Sequence, residues 1–107
     1  MLNQVVLVGR IVKGIELKID ELEQKSAEVI LAVPRSYKNA NGEYETDFVS
    51  CEVLGGIAEN TCKYFKAGDL LGVKGMVRSN NNTINILAEK ISFLSSKKEQ
   101  ENNELER

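Results

Sequence analysis

The side chains that most often perform catalysis or hold metal ions are scarce in this chain. There is no histidine, and the two cysteines, Cys51 and Cys62, lack the Cys-x-x-Cys spacing of a zinc site. A cysteine nucleophile would therefore lack its usual base. The acidic residues between Glu16 and Glu23 fall in a predicted solvent-exposed loop. We expect no catalytic residue, no metal and no cofactor, and thus a protein that is not an enzyme.

Basic side chains remain as candidates, and their chemistry would be the binding of an anion. Lys74 and Arg78 share one face of a predicted strand, which suits a row of phosphate contacts and equally suits any solvated strand. The chain has 14 basic and 16 acidic residues, for a net charge of −2. Affinity for a polyanion would therefore depend on where the basic residues lie.

The periodicity of apolar residues predicts five main strands. The first spans residues 3–12, and its apolar run, residues 5–8, is expected to be central and buried on both faces. An outer half-strand at 15–20 continues it. The second strand, 27–33, is expected to end at Pro34, and Asn41-Gly42 predicts a type I′ hairpin turn after it. The remaining strands are predicted at 46–54, 70–78 and 83–94, the last with a bulge near Glu89.

A short helix is predicted between the third and fourth of these strands, where Ala58, Cys62 and Phe65 recur at helical spacing. Three strands, a helix and two strands, with glycines at the bends, are typical of the OB-fold. We therefore predict an all-β fold with one short helix, a five-stranded Greek-key barrel in residues 1–94. A short polar tail, residues 95–107, is expected to be disordered.

Strand alternation separates core residues from outward-facing ones. In the third strand, Val49, Cys51 and Val53 are predicted to face the core, with Phe48, Ser50, Glu52 and Leu54 on the opposite side. In the fourth, the predicted core residues are Leu71, Val73 and Val77, whereas Leu70, Lys74, Met76 and Arg78 face away.

Three ordered segments carry a family resemblance: MLNQVVLVGR at the start, LAVPRSYKNANGEYETDFVSC around the hairpin, and AENTCKYFKAGDLLGVKG from the helix into the fourth strand. With them, residues 1–94 resemble the bacterial single-stranded DNA-binding proteins. The resemblance implies a homo-oligomer, dimer or tetramer, that coats single-stranded DNA without sequence preference in replication, recombination or repair. It also implies a cytoplasmic, nucleoid-associated protein that works with replication or repair proteins. The longest apolar stretch falls short of the roughly 20 residues of a membrane span, so no membrane partner is expected.

The resemblance also implies binding residues on the outer strand face. Tyr37 and Phe48 would stack on bases, and Leu54 stands where a third aromatic residue is usual. The residues implied to hold phosphates are all basic: Arg10, Arg35, Lys38, Lys74 and Arg78. Tyr44 is instead interpreted as a cross-strand packing residue.

Several features depart from the family pattern. Glu52 lies between Phe48 and Leu54, where the family tends to have an apolar residue and where a carboxylate would repel phosphates. The long hairpin between the last two strands shrinks to SNNNT, and the tail EQENNELER lacks the apolar tip of the family's acidic tail. These departures leave an alternative open. The chain could resemble primosomal replication protein N, an OB-fold dimer that binds single strands weakly and works mainly through protein contacts.

Overall fold

The computed structural model describes residues 1–96, so most of the predicted tail, residues 97–107, lies outside the described residues. In chain order the elements are β1 (Val5–Ile11), β2 (Lys18–Ile19), β3 (Lys25–Lys38), β4 (Tyr44–Leu54), α1 (Gly55–Tyr64), β5 (Leu70–Asn80) and β6 (Thr83–Ser95). The predicted elements are all present, and the outer half-strand is a separate two-residue strand, β2.

The sheet closes into a barrel. Its strand order is β1-β5-β6-β4-β3-β2, and an additional pairing between β1 and β3 joins the two sides. The pairing of β4 with β6 is parallel, whereas the other neighbours are antiparallel. Strand β2 lies outside the ring, against β3. The prediction of a five-stranded barrel with one helix is thus confirmed.

The barrel core is built by alternate residues of its strands. Fully or almost fully buried side chains come from β3 (Val29, Leu31), β4 (Cys51, Val53), β5 (Leu71, Val73) and β6 (Ile86, Ala88). Helix α1 packs against β3 and β4 and buries Ala58 and Thr61. The Thr61 hydroxyl donates a hydrogen bond of 2.6 Å to the Ile57 carbonyl, so this buried polar group has a partner.

The sequence predicted that the first strand is buried on both faces, but the structure buries only one of them. Val6 and Val8 are exposed, because an antiparallel sheet needs only one covered face. Val77, predicted in the core, is also exposed. The β1–β5 ladder ends at the pair Val5–Gly75, so β5 extends beyond the barrel at Val77, and the Asn3 side chain bonds both the amide and the carbonyl of Val77.

Strand β3 does not end at Pro34 but continues to Lys38. The Ile30 carbonyl accepts a hydrogen bond from Val12, so by alternation the nitrogen of Pro34 also faces β1. The β1–β3 ladder ends at Ala32, so β1 makes no hydrogen bond with β3 at position 34. The missing N–H of Pro34 therefore costs no ladder bond, and the strand can continue through the proline. The β3–β4 register shifts between Pro34 and Lys38.

The type I′ turn occurs at a different hairpin from the one predicted. Between β3 and β4 only Gly42 has a positive φ, and the Gly42 amide donates to the Asn39 carbonyl. The Asn39 amide also donates to the Glu43 carbonyl, so residues 40–42 form the loop inside this bonded pair, in place of the predicted type I′ turn. Between β5 and β6, by contrast, Asn81 and Asn82 both have positive φ, the conformation of a type I′ turn. The consecutive asparagines tolerate it because asparagine readily adopts left-handed backbone angles.

The bulge predicted near Glu89 is present. Lys74 pairs with Lys90 and Gly75 with Ala88, which leaves Glu89 as the extra residue of β6. The strands come close together here. A Cβ atom on Gly75 would lie 2.1 Å from the carbonyl oxygen of Leu87, far inside van der Waals contact.

We predict that Gly75→Ala destabilises the fold by about 1–3 kcal/mol or more, because the β5 and β6 backbones must separate to admit the methyl group. The matched control is Gly56→Ala in α1, where a Cβ meets nothing within 4 Å and alanine is expected to stabilise by up to about 1 kcal/mol. Urea unfolding followed by circular dichroism measures both. Equal unfolding midpoints for the two variants would contradict this account of the β5–β6 approach.

Candidate nucleic-acid interface

One row of exposed side chains runs along the outer face of β4. Alternation places Tyr44, Phe48 and Leu54 on this face, with Val49, Cys51 and Val53 facing inward as predicted. Phe48 is 68% exposed and lies opposite Ala32 of β3, which is too small to cover the ring. A large exposed aromatic ring on a rigid strand is a suitable platform for a flat ligand.

Tyr44 belongs to this row and also makes the cross-strand contact that the sequence predicted. It pairs directly with Lys38, whose Nζ atom lies 5.7 Å from the centre of the tyrosine ring. The ring is nevertheless 59% exposed. Its position four residues before Phe48 predicts the shared face, since even spacing along a strand keeps two residues on one side. Lys38 and Tyr44 together present a cation and a ring to solvent.

Tyr37 and Arg35 lie on the β3 side of the same hairpin. Tyr37 is 63% exposed. The guanidinium of Arg35 donates to both oxygens of Asp47, at 3.1 and 2.9 Å, and to Glu45 at 2.5 Å. By alternation Asp47 and Glu45 lie on the face opposite Phe48, so Arg35 points away from the Phe48 row.

The charges around Arg35 favour its ionised form and that of its partner. The hydrogen bond with Asp47, followed by the charge of Asp47, raises the pKa of Arg35 above its ordinary value, and Tyr37 is near enough to contribute. The same hydrogen bond lowers the pKa of Asp47. With two carboxylates against one guanidinium, this cluster presents no net positive charge to a polyanion.

Arg10 and Lys74 occupy other parts of the surface. Arg10 is half-buried, and its Nη1 atom donates a hydrogen bond of 2.8 Å to the Gly68 carbonyl in the loop before β5. It borders an apolar groove, open between β1 and β3, that is lined also by Val8, Pro34 and Leu70. Lys74 is exposed on β5, beside Val6 of β1 and Lys90 of β6. Within the described residues Lys74 forms no ion pair.

Arg78 reaches from β5 across β6 to Glu52 on β4. Its Nη2 atom donates to Glu52 Oε2, which also accepts a longer bond of 3.4 Å from Asn85 of β6. Glu52 faces outward between Phe48 and Leu54, as predicted. The structure thus brings Phe48, Leu54 and Arg78 onto one face, with a carboxylate among them.

No group of three or more metal-ligating side chains occurs within residues 1–96. In the same part of the chain, α1 is too short to cross a membrane. Cys51, interpreted as a small apolar core residue, is fully buried, and burial raises the pKa of its thiol to about 11.

The Arg35–Asp47 pair predicts a pH dependence. Because the pKa of Asp47 lies below its ordinary value of 3.8, the pair contributes its full stability above that pH and loses it as the pH falls through the lowered value. We expect Arg35→Gln to move the pKa of Asp47 back toward 3.8, measured by NMR titration of the side-chain carboxyl carbon. Glu59, whose pKa is lowered by a hydrogen bond from Lys25, serves as the control and should not change. An Asp47 pKa that is identical in both proteins would contradict the pairing.

Solved structures with this fold include the wild-type single-stranded DNA-binding protein of Thermus aquaticus. It superposes with a TM-score of 0.75 at 20% sequence identity, over 88% of this chain and 50% of that chain. A deletion mutant of the same protein gives a TM-score of 0.73, also at 20% identity. At this identity the likeness establishes the OB-fold architecture.

Sequence comparison extends the likeness beyond the fold. The chain is 40% identical over 106 residues to single-stranded DNA-binding protein B of Bacillus subtilis, covering 91% of this chain and 94% of that protein. It is 42% identical over 106 residues to single-stranded DNA-binding protein 3 of Listeria innocua, and there it spans 66% of the relative's length. The model of the single-strand binding protein family matches residues 2–94, nearly the whole barrel. The chain therefore belongs to the single-strand binding protein family.

Proposed function

We propose that this protein binds single-stranded DNA without sequence preference, during replication, recombination or repair. The observation that carries the proposal is the row of exposed side chains on the outer face of β4, above all Phe48, in a chain of this family. Every base has a flat face that can stack on an aromatic ring, so such a surface does not select a sequence. The function is binding and requires no catalytic group.

Two kinds of contact would hold the strand. Stacking on Phe48, Tyr37 and Tyr44 would contribute about 1–3 kcal/mol per base, with Leu54 packing at the far end of the row. Phosphates would be held by Lys38 and Lys74, which are exposed, and by Arg10, Arg35 and Arg78 once these arginines leave their present partners. Each phosphate contact releases counterions, which makes the affinity fall as salt rises.

Assembly into a homo-oligomer, dimer or tetramer, is also part of the proposal. Strand β1 pairs with β5 along one edge, but with β3 only at Arg10 and Ile11. Its opposite edge before Arg10 has no ladder within the described residues, and Val6 and Val8 expose apolar surface beside it. An unpaired strand edge is a template for a second chain. We further propose a cytoplasmic, nucleoid-associated protein that acts together with replication or repair proteins.

One observation favours the second candidate, a primosomal replication protein N-like dimer that works mainly through protein contacts. Arg35 and Arg78, both implied to hold phosphates, are ion-paired with carboxylates in the structure. Weak binding of single strands would be the consequence. This candidate predicts little dependence of affinity on the exposed aromatic rings.

Single-strand binding is tested by titrating labelled oligothymidine and following fluorescence anisotropy at low salt. We expect Phe48→Ala and Tyr37→Ala each to weaken binding by roughly 5- to 150-fold, the equivalent of one lost stacking contact. The matched control is Tyr64→Ala, because Tyr64 is 62% exposed but lies on α1, away from the row. Unchanged affinity in both test variants would contradict base stacking and support the protein-docking alternative.

Oligomerisation is tested by sedimentation equilibrium of the full chain without DNA. We expect a mass of two or four chains, because pairing at the β1 edge would satisfy its free backbone groups and cover Val6 and Val8. The variant Val8→Lys places a charge in the proposed contact and should shift the mass toward one chain. A single-chain mass for the unaltered protein would contradict assembly through β1.

A further inference from the structure

The ion pair between Arg78 and Glu52 occupies the middle of the face on which DNA is proposed to lie. Arg78 stands opposite Asn85 in the β5–β6 ladder, and Glu52 stands opposite Leu87 in the β4–β6 ladder. The arginine therefore spans the width of β6 to meet the carboxylate. Both side chains are about one-third exposed, so a ligand on this face can contact either of them.

The contacts of Arg78 show that its guanidinium is only partly engaged. One nitrogen, Nη2, donates to Glu52, whereas Nε is buried and has no hydrogen-bond partner within residues 1–96. A guanidinium carries five donors in a planar fork that matches a phosphate as well as a carboxylate. Arg78 therefore has the donors for a phosphate, and Glu52 is the group that now competes for them.

Within the described part of the chain, residues 1–96, Glu52 has no second partner comparable to Arg78. Its other hydrogen bond comes from the neutral Asn85 amide and is long, at 3.4 Å. If a phosphate took Arg78, the carboxylate would lose its cation and would lie close to a second negative charge. When Arg78 changes its partner from Glu52 to a phosphate, the unpaired carboxylate therefore raises the free energy of the complex. A neutral residue at position 52 would not have this effect.

We propose that Glu52 is an affinity-setting residue, which holds Arg78 in the free protein and must release it before a single-strand phosphate can bind there. This inference rests on the proposed function, since it assigns a role at the same face. Glu52 acts through Arg78 and is a positioning residue. The protein then binds single strands less tightly, and with a weaker salt dependence, than its exposed rings and basic residues alone would give.

A neighbouring carboxylate supplies a matched control. Glu28 of β3 lies directly opposite Glu52 in the β3–β4 ladder, so it is on the same outer face and carries the same charge. Its carboxylate accepts a hydrogen bond of 2.6 Å from the Ser50 hydroxyl, whereas Glu52 is bonded to an arginine. Removing the charge of Glu28 therefore relieves repulsion on the face without freeing a cation.

The experiment is a double-mutant cycle with the full chain and labelled oligothymidine, measured from low to physiological salt. Glu52→Gln should raise affinity by roughly tenfold at low salt. It should also steepen the plot of log affinity against log salt by about 0.7, the value for one added phosphate contact on a single strand. In an Arg78→Ala background the change in salt dependence should disappear, because no cation is left to release, and the affinity gain should shrink to the smaller gain that comes from relieving repulsion alone. Glu28→Gln should give the same smaller gain in both backgrounds.

Each outcome decides the proposal. A Glu52→Gln gain of equal size with and without Arg78 would overturn it, since Glu52 would then act only by repelling phosphates. No gain from Glu52→Gln in a protein whose circular dichroism spectrum is unchanged would overturn it as well. Failure of the unaltered protein to bind oligothymidine at low salt would instead contradict the proposed function itself. The role of Glu52 would then be contradicted together with the proposed function. Binding of oligothymidine by the unaltered protein therefore distinguishes failure of the proposed function from failure of the role of Glu52.

Discussion

The close contact between β1 and β3 is the constraint on which the rest of this structure depends. Two ladder pairs, Arg10 with Ala32 and Ile11 with Leu31, join these strands and close the sheet into a barrel, and the hydrogen bond from the Val12 amide to the Ile30 carbonyl extends the contact by one residue. The approach requires glycine at position 9, where a Cβ atom would lie 2.7 Å from the Ala32 carbonyl oxygen. Without this closure the sheet would have two open edges and its apolar face would need another cover.

Closure decides which side of each strand is core and how far the core extends. Inside the barrel, the inward side of β4 carries Cys51 and Val53, both fully buried. Beyond the barrel the β3–β4 hairpin continues into solvent, and the same side of β4 carries Asp47 and Glu45, which bind Arg35. One strand therefore changes from an apolar core element to a charged arm without any change in its alternation.

Carboxylates beside arginines give this protein its electrostatic character. A net charge of −2 gives no general attraction for a polyanion, so local arrangement decides. Exposed ion pairs of this kind contribute little to stability. Their larger effect is on recognition, because a carboxylate that holds a guanidinium competes with any phosphate for the same donors. Within residues 1–96 the two exposed lysines of the proposed interface, Lys38 and Lys74, form no ion pair with a carboxylate, so they are the cations readily available to a strand.

The sequence by itself determined the barrel, its single helix, the inward and outward residues of β4 and the bulge at Glu89. These follow from apolar periodicity, which is a local property of each strand. The tertiary structure decided the rest: the exposure of Val6, Val8 and Val77, the continuation of β3 past Pro34, and the partners of Arg35 and Arg78. Each of these depends on which residues of distant strands lie next to one another. Alternation along one strand specifies the face of a side chain but not the neighbour across the sheet, since that neighbour is set by register and barrel closure.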